Sequence, residues 1–309
     1  FRCVTVTGSV WGTGGGVYRI ALDDGRVVDA SLRGRLKQQQ RTGDRVVIGD
    51  RVAVDEAEDG GFTIEAVEPR VRQIVRRNAG GRRPKVVAAN VDRLVAVLAC
   101  SEPEPRTDVI DRLLVIAESD GLEAALVLNK ADLPGAPDVV AELGGLYRSV
   151  GYQVLAVSAR TGEGIAGVES LLARGTSALV GPSGAGKSSL LNAIQPDLGL
   201  RTGELSSKLK RGRHTTVSSR ILPLACGGRV ADTPGFGDVG LWGIEPGVLH
   251  ECFPEFRAHL GRCRFQDCAH LVEPECAVRG AVEAGTIPPT RYASYTVLME
   301  EAAGQRSEA

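Results

Sequence analysis

The chain has 309 residues, enough for two or three domains, and 43% of them are hydrophobic, enough for a sizeable core. A formal net charge of −1 excludes a uniformly basic nucleic-acid coat but not a local basic face. No run of about 18 apolar residues marks a membrane span, and seven cysteines in this length are too few for a disulfide scaffold. A monomer in the cytoplasm, with no membrane contact, is the expectation. The chain opens on Phe1 without a signal-peptide hydrophobic region, and natural residues before Phe1 are expected.

Residues 1–72 read as all-β. Short apolar runs at 4–6, 17–22, 27–30, 46–48, 51–54 and 62–67 alternate with Gly- and Asp-rich turn signals. Such strands suit a small closed barrel, with a β-sandwich as the alternative. Residues 73–88 then gather Arg76, Arg77, Arg82, Arg83 and Lys85 around Gly80, Gly81 and Pro84. This is expected to be a basic, flexible linker, either a solvated charge run or an RNA contact beside the barrel.

From Val91 the pattern changes to α/β. Strands are expected at 94–99, 124–128, 154–157 and 177–180, with helices at 108–119, 139–149 and 168–172 between them. That alternation implies a parallel sheet covered on both faces. Residues 246–309 hold a Cys/His cluster and end on a helix expected at 289–303. The expected division is a barrel at 1–75, a linker at 76–88, an α/β domain at 89–243 and a mainly helical metal-binding domain at 244–309.

The fourth strand runs into Gly181-Pro182-Ser183-Gly184-Ala185-Gly186-Lys187-Ser188, which is G-x-x-x-x-G-K-[ST] between a strand and a helix that takes in Ser189. Glycines let backbone N–H groups converge on phosphate oxygens, and the helix N-terminus favours their negative charge. Lys187 places a positive charge on the β- and γ-phosphates, and the Ser188 hydroxyl can ligate Mg²⁺.

Guanine selection is read from Asn129-Lys130-Ala131-Asp132, at the carboxyl end of the second strand. The two oxygens of Asp132 match guanine's ring N–H and exocyclic amine. Adenine would leave that carboxylate unpaired, at a cost of about 1–3 kcal/mol. Lys130 can lie along the base and Asn129 can tie this loop to the phosphate loop. Ser158-Ala159, after the third strand, fits the loop whose N–H supports the guanine carbonyl.

Asp232-Thr233-Pro234-Gly235 supplies a D-x-x-G element, with Asp232 toward Mg²⁺ and the Gly235 N–H toward the γ-phosphate. Upstream, the basic stretch 208–217 carries Thr215 and Thr216; one of them, assigned here to Thr216, can close on Mg²⁺ and γ-phosphate. Phe236 stands where many GTPases place a water-orienting Gln. His214 is the nearest candidate to hold a water, contact with RNA phosphate or solvent being its alternative role. The motifs are in permuted order: N-K-x-D and Ser-Ala precede the phosphate loop.

Cys263-x₄-Cys268-x-His270-x₅-Cys276 offers three thiolates and an imidazole, matching a closed, structural tetrahedral Zn²⁺ site. Cys252, His250 and His259 are more distant substitutes. Cys3, Cys100 and Cys226 are expected in the core.

Together these stretches, with Ala-Asn-Val-Asp at 89–92, Gly-Arg-His-Thr-Thr at 212–216 and Cys-Phe-Pro-Glu-Phe at 252–256, resemble the RsgA (YjeQ) family of small ribosomal subunit biogenesis GTPases over essentially the whole chain. The resemblance implies an oligonucleotide-binding (OB-fold) barrel, a circularly permuted P-loop GTPase domain and a helical zinc-binding domain. It implies a late assembly factor that binds rRNA on the small subunit, hydrolyses GTP to GDP under its stimulation, and leaves. It also points to His214 as catalytic beside Phe236. Two other readings are an RNA-binding clamp in which GTP only orders residues 208–217, and a P-loop ATPase or kinase, which the Asn129–Asp132 motif opposes.

Overall fold

The computed structural model describes residues 4–42, 45–58, 60–77, 84–200, 219–232 and 244–307. The N-terminal part holds β1 (Val4–Gly14), β2 (Val17–Leu22), β3 (Val27–Leu32), α1 (Gly34–Thr42), β4 (Arg51–Glu56) and β5 (Phe62–Val67). Pairing runs β1–β2–β3–β5–β4 and returns to β1, so five strands close into a barrel. Alternate residues face inward, and Val10, Ile20, Val52, Val54 and Ile64 form a fully buried core. The helix α1, between β3 and β4, carries no signal in the sequence pattern and completes the arrangement of an oligonucleotide-binding barrel.

β1 serves two partners within the barrel because it is long. Its first part pairs with β4 (Val4↔Glu56 to Ser9↔Arg51) and its second with β2 (Gly8↔Leu22 to Gly14↔Val17). At the crossover, a Cβ on Gly8 would sit 2.6 Å from the Ala21 carbonyl oxygen, so only glycine lets the strand turn there.

Two expectations are corrected. The apolar run 46–48 is not a strand: Ile48 makes only an isolated bridge to Ala88, because Asp50 folds back and its carboxylate accepts from Val47 N (2.8 Å). The basic stretch expected as a linker carries structure at both ends, since β6 (Gln73–Arg77) and β7 (Pro84–Ala89) pair antiparallel from Gln73↔Ala89 to Arg77↔Pro84. Ile74 and Ala88 on this ribbon are buried in the core, while Gly80, Gly81, Arg82 and Arg83 lie outside the described residues.

The α/β part comprises β8 (Arg93–Ala99), α2 (Thr107–Ser119), β9 (Glu123–Asn129), α3 (Ala136–Ser149), β10 (Gln153–Ala156), α4 (Ile165–Leu172), β11 (Thr176–Val180), α5 (Lys187–Ile194), β12 (Arg220–Pro223) and β13 (Arg229–Asp232). Strand order is β10-β9-β8-β11-β13-β12, parallel throughout except for β12. Successive residues of β8 feed opposite cores: Leu94, Ala96 and Leu98 pack with α2 and α3, Val95 and Val97 with α4 and α5. β12 also meets the barrel, pairing Arg220 with Gly12 of β1, while Thr13 N donates to Ser219 O (3.2 Å).

The C-terminal part has 3-10 turns at Pro246–Cys252 and Pro254–Phe256, then α6 (Ala277–Glu283) and α7 (Pro289–Ser307). Phe253, Phe256, Tyr295 and Leu298 continue the α2–α3 core without a break. Arg291 of α7 is fully buried in it. It donates to Asp111 of α2 (2.5 Å) and to Glu255 (2.6 Å), and its guanidinium lies over the Phe253 ring, 4.6 Å from the centroid. Tyr147 of α3 donates to the same Asp111 oxygen (2.7 Å). Among the described residues, no helix is long and apolar enough to cross a membrane.

Candidate nucleotide site and metal centre

All the described nucleotide motifs lie where the parallel strands end. β8, β9 and β11 are neighbours, so the loops after β9 and β11 converge. In the loop 181–188, Gly181 has φ +145° and a Cβ there would meet Val97 O at 2.0 Å; Gly186 has φ +88° and its Cβ would meet Asn129 Nδ2 at 2.3 Å. Both positions therefore demand glycine.

The vacant side of Gly186 is what Asn129 uses. This side chain is buried; its Nδ2 donates to Ala185 O (3.0 Å) and its Oδ1 accepts from Ala159 N (3.2 Å). One amide thus ties the loops 129–132, 158–160 and 181–188 around a cleft of about 220 Å³ lined by Lys130, Asp132, Ala159, Arg160, Gly186 and Ser189, among others. The Ala159 N–H, expected to face a guanine carbonyl, is held here by Asn129.

Lys187 is buried at the start of α5, and its ammonium donates to Gly181 O (2.7 Å) and Pro182 O (2.9 Å). Burial pulls its pKa down to about 8. Ser188 follows on the same turn, also buried. Lys130, at φ +63°, donates from Nζ to Glu102 O in the loop after β8.

Asp132 Oδ1 accepts from the Ser158 hydroxyl and Oδ2 from Arg160 Nε (2.8 Å) and Nη2 (2.5 Å). The Ser158 bond, then Arg160, holds the Asp132 carboxyl below its ordinary range. Asp232 ends β13, next to β11, and pairs with Arg220 of β12 (3.0 Å). The two oxygen donors Ser188 and Asp232 suit a hard cation such as Mg²⁺. His214, Thr215, Thr216, Gly235 and Phe236 lie outside the described residues. Arg160 and Arg220 were not picked out from the sequence, because an arginine near a functional carboxylate carries no motif.

The four candidate metal ligands lie side by side. The donor atoms of Cys263, Cys268, His270 and Cys276 all lie within 4.8 Å of one another. Sγ of Cys263 and Cys276 are 3.9 Å apart, and His270 Nδ1 is 3.5 and 3.4 Å from them. A tetrahedron with Zn–S near 2.3 Å and Zn–N near 2.0 Å has ligand–ligand separations of about 3.8 and 3.6 Å, so Zn²⁺ fits. Burial pushes the Cys268 thiol up to about 12 and lowers His270, whose neutral ring is the ligating form.

The surrounding shell fixes the loop. Tyr292 donates to His270 O and Tyr295 to Ala269 O (both 2.7 Å), while the Glu273 carboxylate accepts from Ala269 and Leu271 N (both 2.9 Å). Of the substitutes, His250 stacks edge-on against His270 (5.1 Å) and Cys252 is a buried core residue. Cys100 is buried as expected; Cys226 is exposed, since it sits in the turn joining β12 to β13, and Cys3 lies outside the described residues.

Residues 67–242 match the family model described as RsgA GTPase. The chain is 46% identical over 304 residues to the Gemmatimonas aurantiaca protein named small ribosomal subunit biogenesis GTPase RsgA, covering 97% of this chain and 99% of that one. A Moorella thermoacetica protein of the same name is 45% identical over 294 residues, covering 95% and 96%. Among solved structures, YjeQ from Thermotoga maritima superposes with a TM-score of 0.79 at 34% identity, covering 97% of this chain and 99% of that one. YloQ, described as a circularly permuted GTPase, gives 0.75 at 27% identity, covering 98% and 96%.

Proposed function

The chain belongs to the RsgA GTPase family, and from that premise we propose that it acts on the small ribosomal subunit as a late assembly factor, binding rRNA and leaving after hydrolysing GTP. The observation that carries the nucleotide part is Asn129, whose one amide joins the N-K-x-D, Ser-Ala and phosphate loops around a single cleft. The relatives' names support the ribosomal part.

In this reading Asp132 takes guanine's two N–H donors, Lys130 lies along the base, and Ser158 and Ala159 support its rim. The loop Gly181–Ser188 cradles the phosphates through its N–H groups, and Lys187 turns from the Gly181 and Pro182 carbonyls to the β/γ-oxygens. Ser188, Asp232 and Thr216 would hold Mg²⁺, which neutralises charge on the phosphates when bound. The Gly235 N–H meets the γ-phosphate. His214 holds the attacking water, with Phe236 as its apolar neighbour. Zn²⁺ on Cys263, Cys268, His270 and Cys276 is structural, because four protein ligands leave no open position. The protein works as a monomer in the cytoplasm.

The test is phosphate release from GTP and from ATP, each with and without purified small ribosomal subunits. Release from GTP alone, strongly stimulated by the subunit and lost in His214→Ala, is expected. Equal, unstimulated rates would remove the ribosomal assignment; stimulation that survives in His214→Ala would remove that residue's role.

A further inference from the structure

We infer that Arg160 competes with guanine for Asp132 and so weakens guanine nucleotide binding, acting as a displaceable counter-ion of the base-reading carboxylate. The inference rests on the guanine-site reading above and adds a residue to it.

A carboxylate oxygen has two lone-pair positions. Oδ1 of Asp132 accepts the Ser158 hydroxyl, which leaves room for one more donor. Oδ2 already accepts both Nε and Nη2 of Arg160. Guanine's ring N–H and amine lie side by side and need one place on each oxygen. Oδ1 can accept guanine as it stands, whereas Oδ2 cannot until the arginine gives up at least one bond.

The two partners of Asp132 differ in how easily they leave. Ser158 is fully buried, and its oxygen also accepts from Thr161 N (3.0 Å), so its hydroxyl is fixed toward Asp132. The Arg160 side chain is 73% exposed, against 10% for Asp132. Arg160 sits on a turn whose backbone is closed by Gly162 N to Ser158 O and Ser158 N to Glu163 O (both 2.9 Å). Its guanidinium can therefore swing into water by side-chain rotation alone, leaving Ala159 and Asn129 in place. Ser158 braces the reader permanently; Arg160 occupies it conditionally.

An exposed ion pair is weak, so removing Arg160 should tighten guanine nucleotides by about two- to fivefold. The test is calorimetric titration of GDP into the full chain and into Arg160→Ala, at about 0.1 M and about 1 M ionic strength, between which the screening length falls from about 10 Å to about 3 Å. Tighter binding by Arg160→Ala at low salt, with the gap closing at high salt, is expected. Arg160→Lys, a point charge without the two-pronged fork, should fall between the two. Equal or weaker binding by Arg160→Ala at low salt, where the wild type does bind GDP, overturns the inference and leaves the guanine site intact. No GDP binding by the wild type overturns the guanine-site reading and this inference together.

Discussion

At the scale of one residue, Lys187 is the buried cation at the start of α5. Its ammonium is buried against two backbone carbonyls, and burial lowers its pKa to about 8. Near pH 8 about half of the molecules therefore carry it neutral, while a nucleotide di- or triphosphate beside it demands the charged form. Lys187 should account for about half a proton taken up per chain on nucleotide binding near pH 8, a share that falls toward zero near pH 6, where it is already charged. Calorimetry of GDP binding in buffers of different ionisation enthalpy measures this uptake, and Lys187→Ala should abolish it. The same scale separates what could be read in advance from what could not. Gly181, Gly186 and Lys187 announce themselves because backbone geometry and phosphate chemistry require those residue types at that spacing. Arg160, Arg220 and Arg291 do not, since their carboxylate partners lie 28, 12 and 180 positions away in the chain and any arginine could have met them.

At the scale of elements, period and turn chemistry placed most strands and helices well. The failures came where tertiary burial decided. The apolar run 46–48 lacks a ladder because Asp50 and Asn90 hold it: the Asn90 amide donates to Gly49 O (2.9 Å). The ribbon β6–β7 forms within a stretch whose charges suggested a linker. The junction of α2, α3 and α7 is a second case. No periodicity in α7 foretells a buried arginine, yet Arg291 joins Asp111 and Glu255 under Phe253. Two carboxylates out of water depend on that one cation. Arg291→Ala should therefore destabilise the chain by about 3–5 kcal/mol in chemical denaturation, mostly through the charges it strands. A loss below about 1 kcal/mol would mean that water reaches Asp111 and Glu255 once the arginine is gone.

For the molecule as a whole, motif order alone predicted the permutation, and the sheet explains why it is tolerated. With β11 between β8 and β13, the strands keep their neighbours whichever loop is opened. No motif or periodicity foretells how the barrel attaches. β1 lies against β12 at Gly12 and Arg220, and Ser219 accepts from Thr13. β12 has β13 on its other side and meets β1 at Arg220 alone, so losing β1 would free the Ser219–Arg220 end of β12 as an exposed edge. A chain shortened to begin near residue 70 should, on this account, self-associate through β12 at concentrations where the full chain stays dispersed, an outcome that light scattering reads directly. The barrel would then serve as a cap against aggregation.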